Sequence, residues 1–153
     1  MKQERFDSQV TVQLPSPGTG YTSYSPSQNQ FGRQVTIDAL VDISQSWFNS
    51  HSTDPRIQIG DISLNGGGSF PPHQGHQKGL EADLRPMRND AVEGPTDIKS
   101  STYSQPLTRE VVQIIKQHSN LDRILFNDPQ LVAEGLVTSF PGHDNHLHVE
   151  FKP

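Results

Sequence analysis

Two short histidine-rich windows, far apart in the sequence, constrain this chain more than any other feature. The first, residues 73–83, contains His76 and ends at Asp83, and the second, residues 143–148, ends at His148. Five of the seven histidines fall in these windows. A fold that brings them together places two imidazoles and one carboxylate around one metal ion. Three protein ligands with one open position are typical of a catalytic zinc and indicate hydrolysis. The alternative is that the histidines are polar surface-loop residues.

The composition excludes several classes of protein. The chain has 153 residues, which suits one domain. It has no cysteine, so disulfides, cysteine–zinc sites and thiol catalysis are excluded. The net charge of −5 argues against a nucleic-acid-binding protein, which normally has a basic surface. No apolar run approaches the roughly 20 residues of a membrane span. The amino terminus also lacks the apolar stretch of a secretory signal.

Periodicity predicts a loop-rich α+β domain. Only 31% of the residues are apolar, and there are 12 Gly and 12 Pro. Residues 1–33 are rich in Ser, Gln, Pro and Gly, which predicts a linker or a wrapping arm, and residues 34–153 form the predicted domain. The remaining elements are predicted as strands at 56–62, 79–84, 123–126 and 147–151, a short helix from Asp128-Pro129 and a long loop over 86–107.

Two longer helices follow from apolar residues at helical spacing. The first covers residues 37–48 with Thr36 as its cap, and the second covers residues 111–118 with Thr108 as its cap. We interpret His118, at the end of the second helix, as a half-buried helix residue and not as a ligand.

The last two histidines of the second window are predicted to lie on the last strand. His146 and His148 then point to the same side, about 6–7 Å apart along the backbone. This separation suits one metal ligand and one neighbour that contacts the metal-bound water. Asp83, on the polar face of another strand, can reach the same ion. His76 can turn back over the ion because glycines on both sides of it relax the backbone.

The two windows resemble those of a known family of peptidases. Residues 73–83 (HQGHQKGLEAD) and 142–149 (GHDNHLHV) are similar to the penicillin-insensitive murein endopeptidases, and the likeness covers about residues 34–153. That family belongs to a wider fold group with the lysostaphin-type peptidases, the D-Ala-D-Ala carboxypeptidases and the hedgehog amino-terminal domain (the LAS group). The resemblance implies a fold of this type, with a small antiparallel β-sheet core flanked by a few α-helices.

The resemblance also implies which residues form the site. It implies three zinc ligands: His76, Asp83 and His148. It implies three further histidines in the catalytic machinery: His146 as the base, with His73 and His143 lining the site. The family often has Asp where this chain has Glu81. We interpret Glu81 as a hydrogen-bonding partner of the ligands, the alternative being that it crowds the ion. Glu81 is also a candidate substrate-binding residue.

The implied substrate is the peptidoglycan cross-link from D-Ala to meso-diaminopimelate. Because diaminopimelate carries a free carboxylate, a cation is expected in the groove. Arg85 is the first candidate, and Lys78 and Arg88 are weaker ones. The sequence has neither a His-Glu-x-x-His motif nor a serine nucleophile elbow, so thermolysin-like and serine hydrolase mechanisms are not indicated.

The resemblance therefore predicts a zinc-dependent murein endopeptidase that acts in the bacterial periplasm or cell wall. Two alternatives stay open: a D,D-carboxypeptidase of the same fold, and a non-catalytic zinc-bearing interaction module. Because no secretory signal is visible, three alternatives stay open: a signal was removed from this sequence, the protein is exported by a non-Sec route, or it never leaves its cell. Export by a non-Sec route would suit an injected antibacterial toxin or a phage lysis protein. An injected toxin would require an immunity protein as a partner in the producing cell.

Overall fold

A five-stranded sheet positions the candidate site. The computed structural model of this protein describes residues 10–153, and residues 1–9 lie outside the description. The strands are β1 (Val12–Gln13), β2 (Tyr21–Ser23), β3 (Phe31–Gly32), β4 (Ile57–Ile59), β5 (Glu81–Leu84), β6 (Leu121–Leu125) and β7 (Leu147–Phe151). The helices are α1 (Gln34–Ser50), α2 (Gln105–Gln117) and α3 (Pro129–Ala133), with a 3-10 turn at Ser27–Asn29.

The main sheet has the strand order β2-β4-β5-β7-β6, and β1 pairs with β3 in a separate two-stranded sheet. Each neighbouring pair in the main sheet is antiparallel except β2 with β4, which run parallel. The expected loop-rich α+β class is confirmed. The main sheet is mixed, however, because the segment before α1 contributes β2 to its edge.

The two faces of the sheet have different chemistry. On one face, apolar side chains of β5 and β7 such as Leu84 and Val149 join one buried cluster with residues of α1 and α2. Register places Asp83 opposite His148 and Glu81 opposite Glu150 on the other face. Alternation along the strands therefore separates the apolar core from a polar face that carries the histidines.

Both predicted helix caps are wrong, for the same physical reason. Helix α1 begins at Gln34, and the Thr36 hydroxyl in its first turn donates to the Gly79 carbonyl at 2.7 Å. Helix α2 begins at Gln105, capped by Ser104, and the Thr108 hydroxyl accepts from a loop amide instead. Each threonine is buried and satisfies a backbone group of a neighbouring segment.

Other local predictions are confirmed. Asp128 caps α3 by accepting from the amides of Gln130 and Leu131. The chain from residue 85 to residue 104 contains no helix and no strand of two or more residues. His118 is half-buried at the end of α2 and lies 3.4 Å from Asp42, away from the other histidines.

The described part of the amino-terminal segment packs into the domain. Leu14 and Tyr21 are buried in the core cluster. The division of the chain at residue 33 stays a prediction, as does any role of residues 1–9. Within residues 10–153, no helix combines the length and apolar character that crossing a membrane requires.

Candidate metal centre

Asp83 is the centre of the polar face. Its Oδ1 lies 3.1 Å from His76 Nε2 and 3.3 Å from His148 Nδ1. Burial alone raises the pKa of Asp83, but hydrogen bonds from His148 and His76 outweigh it and hold the pKa well below its ordinary value. The carboxylate is therefore ionised at neutral pH, as a metal ligand must be.

His76 is held in place by two backbone contacts. Its side chain is 2% exposed, and its Nδ1 lies 2.7 Å from the Ile62 carbonyl oxygen. An Nδ1–H that donates to this carbonyl leaves the Nε2 lone pair free for a metal, which is the usual arrangement of a ligating histidine. The backbone of His76 has φ 60°, a region that costs energy for a non-glycine residue. Its amide donates to Glu81 Oε1 at 2.6 Å, which stabilises that conformation.

The structure contains two overlapping groups of candidate ligands. One consists of His73, His76 and Asp83, and the other of His76, Glu81 and His148. Within each group the ligand atoms lie within 4.8 Å of one another. His76 belongs to both groups, whereas Asp83 belongs to the first and His148 to the second. The three residues expected as zinc ligands are therefore close together but do not form one group. Glu81, expected as a hydrogen-bonding partner of the ligands or as a substrate-binding residue, is also a possible ligand.

The donor set fits zinc. Imidazole nitrogens and carboxylate oxygens are its common ligands, and bonds of about 2.0–2.1 Å in a tetrahedral site separate the ligand atoms by about 3.3 Å. The contacts of Asp83 with His76 and His148, at 3.1 and 3.3 Å, are near that separation. Burial lowers the pKa of His76, but Asp83 and the Ile62 carbonyl raise it overall. A metal ion would therefore compete with a proton for this imidazole.

Three further histidines surround this group. His146 Nε2 lies 3.9 Å from Asp83 Oδ1. The His143 ring centroid is 4.6 Å from that of His146, and the His73 centroid is 4.4 Å from that of His76. Burial lowers the pKa of His146, as do the neighbouring histidines, and together they outweigh the opposing effect of Asp83. The structure thus brings all five histidines of the two windows to one site.

The site opens into a cleft of about 600 Å³. Two loops border it, one over residues 72–75 and the other containing Phe140 and Pro141. Phe140 is exposed and packs edge-on against His143 with ring centroids 5.5 Å apart. The remaining lining side chains include Glu81, Arg123, Leu125 and Glu150.

Arg85, the first candidate for a substrate cation, does not line this cleft. Its guanidinium carbon lies 4.1 Å from the centroid of the Tyr24 ring, and Nη1 donates to Gln58 Oε1 at 3.2 Å. Cation–π and hydrogen-bonding contacts occupy this side chain. Its role in substrate binding stays a prediction that the cleft geometry does not support.

A profile of the penicillin-insensitive murein endopeptidase family matches residues 8–134. The chain belongs to this family. The resemblance inferred from the two windows is confirmed, and membership supports peptidase activity on peptidoglycan. No curated protein sequence matches the chain significantly.

The part matched to the murein endopeptidases includes the first histidine window but ends before the second. The second window lies outside the match, and β7 places its His148 beside Asp83 of the first window. The match also begins at residue 8, well before residue 34, where the resemblance was placed.

Sequence reasoning missed three polar residues of this murein endopeptidase site. Asp61 Oδ2 lies 2.8 Å from His73 Nε2. Glu150 Oε2 lies 3.1 Å from His148 Nε2, and Arg123 donates to the same carboxylate. Two of these residues could have been found from the sequence: Asp61 follows a buried strand, and Glu150 lies two residues after His148 on β7. Arg123 could not, because only the pairing of β6 with β7 brings it to the site.

Proposed function

We propose that this protein is a zinc-dependent peptidoglycan endopeptidase that hydrolyses the D-Ala–meso-diaminopimelate bond between stem peptides. Family membership supports the reaction class and the polymer. The contact of Asp83 with both His76 and His148 supports the metal, because it joins two imidazoles and a carboxylate in a buried, ionised group. This convergence is the observation on which the proposal depends.

His76, Asp83 and His148 are the proposed ligands, with Glu81 beside them. Zinc at this position supplies a Lewis acid that polarises the scissile carbonyl and lowers the pKa of a water molecule. The carbonyl of Ile62 orients His76, and Glu150 accepts from His148 Nε2. These contacts hold both rings so that one nitrogen of each points to Asp83.

His146 is the proposed general base. Its Nδ1 lies 2.8 Å from Asn145 Oδ1, so an Nδ1–H donates there and leaves the Nε2 lone pair free. The lowered pKa keeps this imidazole neutral at neutral pH. His146 then accepts a proton from the attacking water at Nε2 and returns it to the leaving amine. The position of Nε2 beside Asp83 stabilises the imidazolium between these two transfers.

His143 and His73 are proposed to stabilise negative charge on the carbonyl oxygen during attack. The Nδ1 of His143 lies 3.0 Å from the Pro141 carbonyl oxygen and donates there, so its Nε2 donates to the substrate in the doubly protonated imidazolium form. His73 Nε2 is paired with Asp61. His143 is therefore the better placed donor, and His73 contributes mainly through its contact with the His76 ring.

The decisive experiment is digestion of purified sacculi with and without a chelator, followed by separation of the muropeptides. A zinc endopeptidase converts cross-linked dimers to monomers, and the chelator prevents it until zinc is restored. A D,D-carboxypeptidase would leave dimers intact and release D-Ala from uncross-linked stems. A non-catalytic module would release nothing, although it would still bind zinc.

The substrate lies in the bacterial periplasm, so we place the activity there and in the cell wall. Use as a delivered antibacterial toxin, and an inhibitor protein as its partner, stay predictions. Expression of the protein in the periplasm of a susceptible bacterium should cause lysis, whereas cytoplasmic expression and the periplasmic His146→Ala variant should not. Survival of cells with the active enzyme in the periplasm would argue against the toxin role.

A further inference from the structure

Arg123 is the only lysine or arginine that lines the cleft in the described part of the chain. It lies on β6, where register pairs it with Glu150 and pairs Leu125 with His148. Arg123 is therefore on the same face of the sheet as the candidate metal ligands. It lies two residues from Leu125, the residue opposite His148. Its side chain is 55% exposed, so it is accessible from the cleft.

We propose that Arg123 binds a free carboxylate of the peptide substrate and makes the enzyme select acidic stem peptides. This proposal rests on the proposed function, because it assigns part of the substrate to the same cleft. It concerns a binding residue for which neither the family match nor the histidine windows gives any indication.

The hydrogen bonding of Arg123 leaves donors available. Nε donates to Glu150 Oε1 at 2.8 Å and Nη2 donates to Glu150 Oε2 at 3.3 Å. A guanidinium has five N–H donors, so Nη1 and the second hydrogen of Nη2 remain for a ligand. Two parallel N–H groups of this kind match the two oxygens of a carboxylate. Glu150 also fixes the side chain, which reduces the conformational entropy lost when a substrate binds.

Distance along the sheet limits where this carboxylate lies in the substrate. Arg123 is opposite Glu150, two residues from His148 on β7, which corresponds to about 6–7 Å. An extended peptide covers that length in about two residues. The carboxylate bound by Arg123 therefore belongs to a residue at the scissile bond or next to it, as the free carboxylate of a diaminopimelate does.

The other nearby cations do not line the cleft. Arg88 forms an ion pair with Asp90 and donates to the Pro95 carbonyl. Arg33 and Lys78 line an adjoining opening of about 380 Å³, which shares Glu81 and Glu150 with the cleft. None of these residues is part of the cleft lining. Arg123 is thus the one guanidinium that a substrate in the described cleft meets.

The test compares two substrates: a cross-linked muropeptide dimer with a free diaminopimelate carboxylate, and the same dimer amidated at that carboxylate. We expect the wild-type kcat/KM to fall about 10- to 100-fold on amidation, the usual effect of losing a charged hydrogen bond. Arg123→Gln should lower kcat/KM on the acidic dimer by a similar factor, mainly through KM. It should have little effect on the amidated dimer. Its zinc content should equal that of the wild type.

Two further variants serve as controls. Arg123→Lys keeps the charge but loses the paired donors, so it should retain part of the preference for the acidic dimer. This variant tests the proposal even if Arg123→Gln folds poorly. Arg109→Gln removes a similar pair with Glu134 outside the cleft and should leave both rates unchanged.

Three results would overturn the proposal. An equal loss on both dimers in Arg123→Gln would show that the residue acts by positioning Glu150 and His148. Unchanged discrimination in that variant would show that Arg123 does not meet the carboxylate. Failure of the wild type to cleave either dimer would refute the proposed function itself, and this proposal with it.

Discussion

His148 lies directly opposite Asp83 in the antiparallel pairing of β5 with β7, and its Nδ1 is 3.3 Å from Asp83 Oδ1. This pair joins two histidine windows that are distant in the sequence. Because side chains alternate between the faces of a strand, a slip of one residue would turn His148 into the apolar core. The packing of Leu147 and Val149 therefore fixes the position of the candidate ligand between them.

The proposed ligand and the proposed base should respond differently to substitution. His148→Ala removes a ligand, so we expect loss of both bound zinc and turnover. His146→Ala removes only the proton acceptor, so zinc should remain bound while kcat falls about 100- to 10,000-fold. Metal analysis of the purified variants and muropeptide release from sacculi measure the two effects.

His118→Ala is the matched control for these histidine variants. His118 is half-buried, and its nearest carboxylate is that of Asp42, outside the cleft. Its replacement should leave zinc content and turnover unchanged. Zinc loss in His146→Ala would instead make that residue a ligand and contradict the assignment of the base.

Much of this centre follows from local sequence pattern. Strand alternation places Asp83 on a polar face and puts His148 on the matching face of the last strand, although His146, predicted on that strand, directly precedes it. These patterns depend only on residues close together in the sequence, so they can be predicted from it. The caps of α1 and α2 are different, because Thr36 and Thr108 satisfy groups distant in the sequence. Local pattern cannot detect such tertiary bonds.

The acidic and basic surroundings of the histidines were even less accessible to sequence reasoning. Arg123 reaches the site only through the pairing of β6 with β7, which includes a register shift between Leu121 and Arg123. Before this pairing is known, Arg85 is the more natural candidate because it lies next to the Asp83 strand. The structure instead shows Arg85 over the ring of Tyr24, contributed by the segment before α1.

The two overlapping ligand groups can be distinguished by their carboxylates. If His76, Asp83 and His148 bind the ion, Asp83→Asn should abolish zinc binding. Glu81→Gln should then weaken it only about 10- to 100-fold, the usual effect of losing a residue that supports a ligand. Isothermal titration with zinc measures both. The opposite order of effects would assign the ion to His76, Glu81 and His148.

Gly75 should be required by the centre although it carries no functional group. A Cβ at this position would overlap Glu81 Oε1, the atom that accepts the His76 amide hydrogen. Gly75→Ala should therefore displace Glu81, release the left-handed backbone of His76 and weaken zinc binding by about 10- to 100-fold. Gly94→Ala is the control, because its nearest neighbours are at ordinary contact distances of 3.8 Å or more. Equal zinc affinity in both variants would contradict this role.

Asp128 should contribute to stability in a pH-dependent way. It is 2% exposed, it caps α3, and it accepts from the hydroxyl of Tyr103 and the amide of Gln105. Burial raises the pKa of Asp128, but these hydrogen bonds outweigh it and lower the pKa below its ordinary value. A lowered folded-state pKa gives stability that is present above the unfolded pKa of about 4 and is lost as the pH falls through the folded value.

Asp128→Asn tests this dependence while keeping an acceptor for the helix cap. The new amide nitrogen places a donor against those of Tyr103 and Gln105, so the variant should be about 1–3 kcal/mol less stable at pH 7. The difference should shrink as the pH falls below about 4, where the carboxylate of the unfolded chain becomes protonated, and on through the lower pKa of the folded state. Urea unfolding of both proteins, in excess chelator to remove the effect of metal release, measures it between pH 7 and pH 2.5. A difference that stays constant over this range would show that the charge of Asp128 contributes nothing.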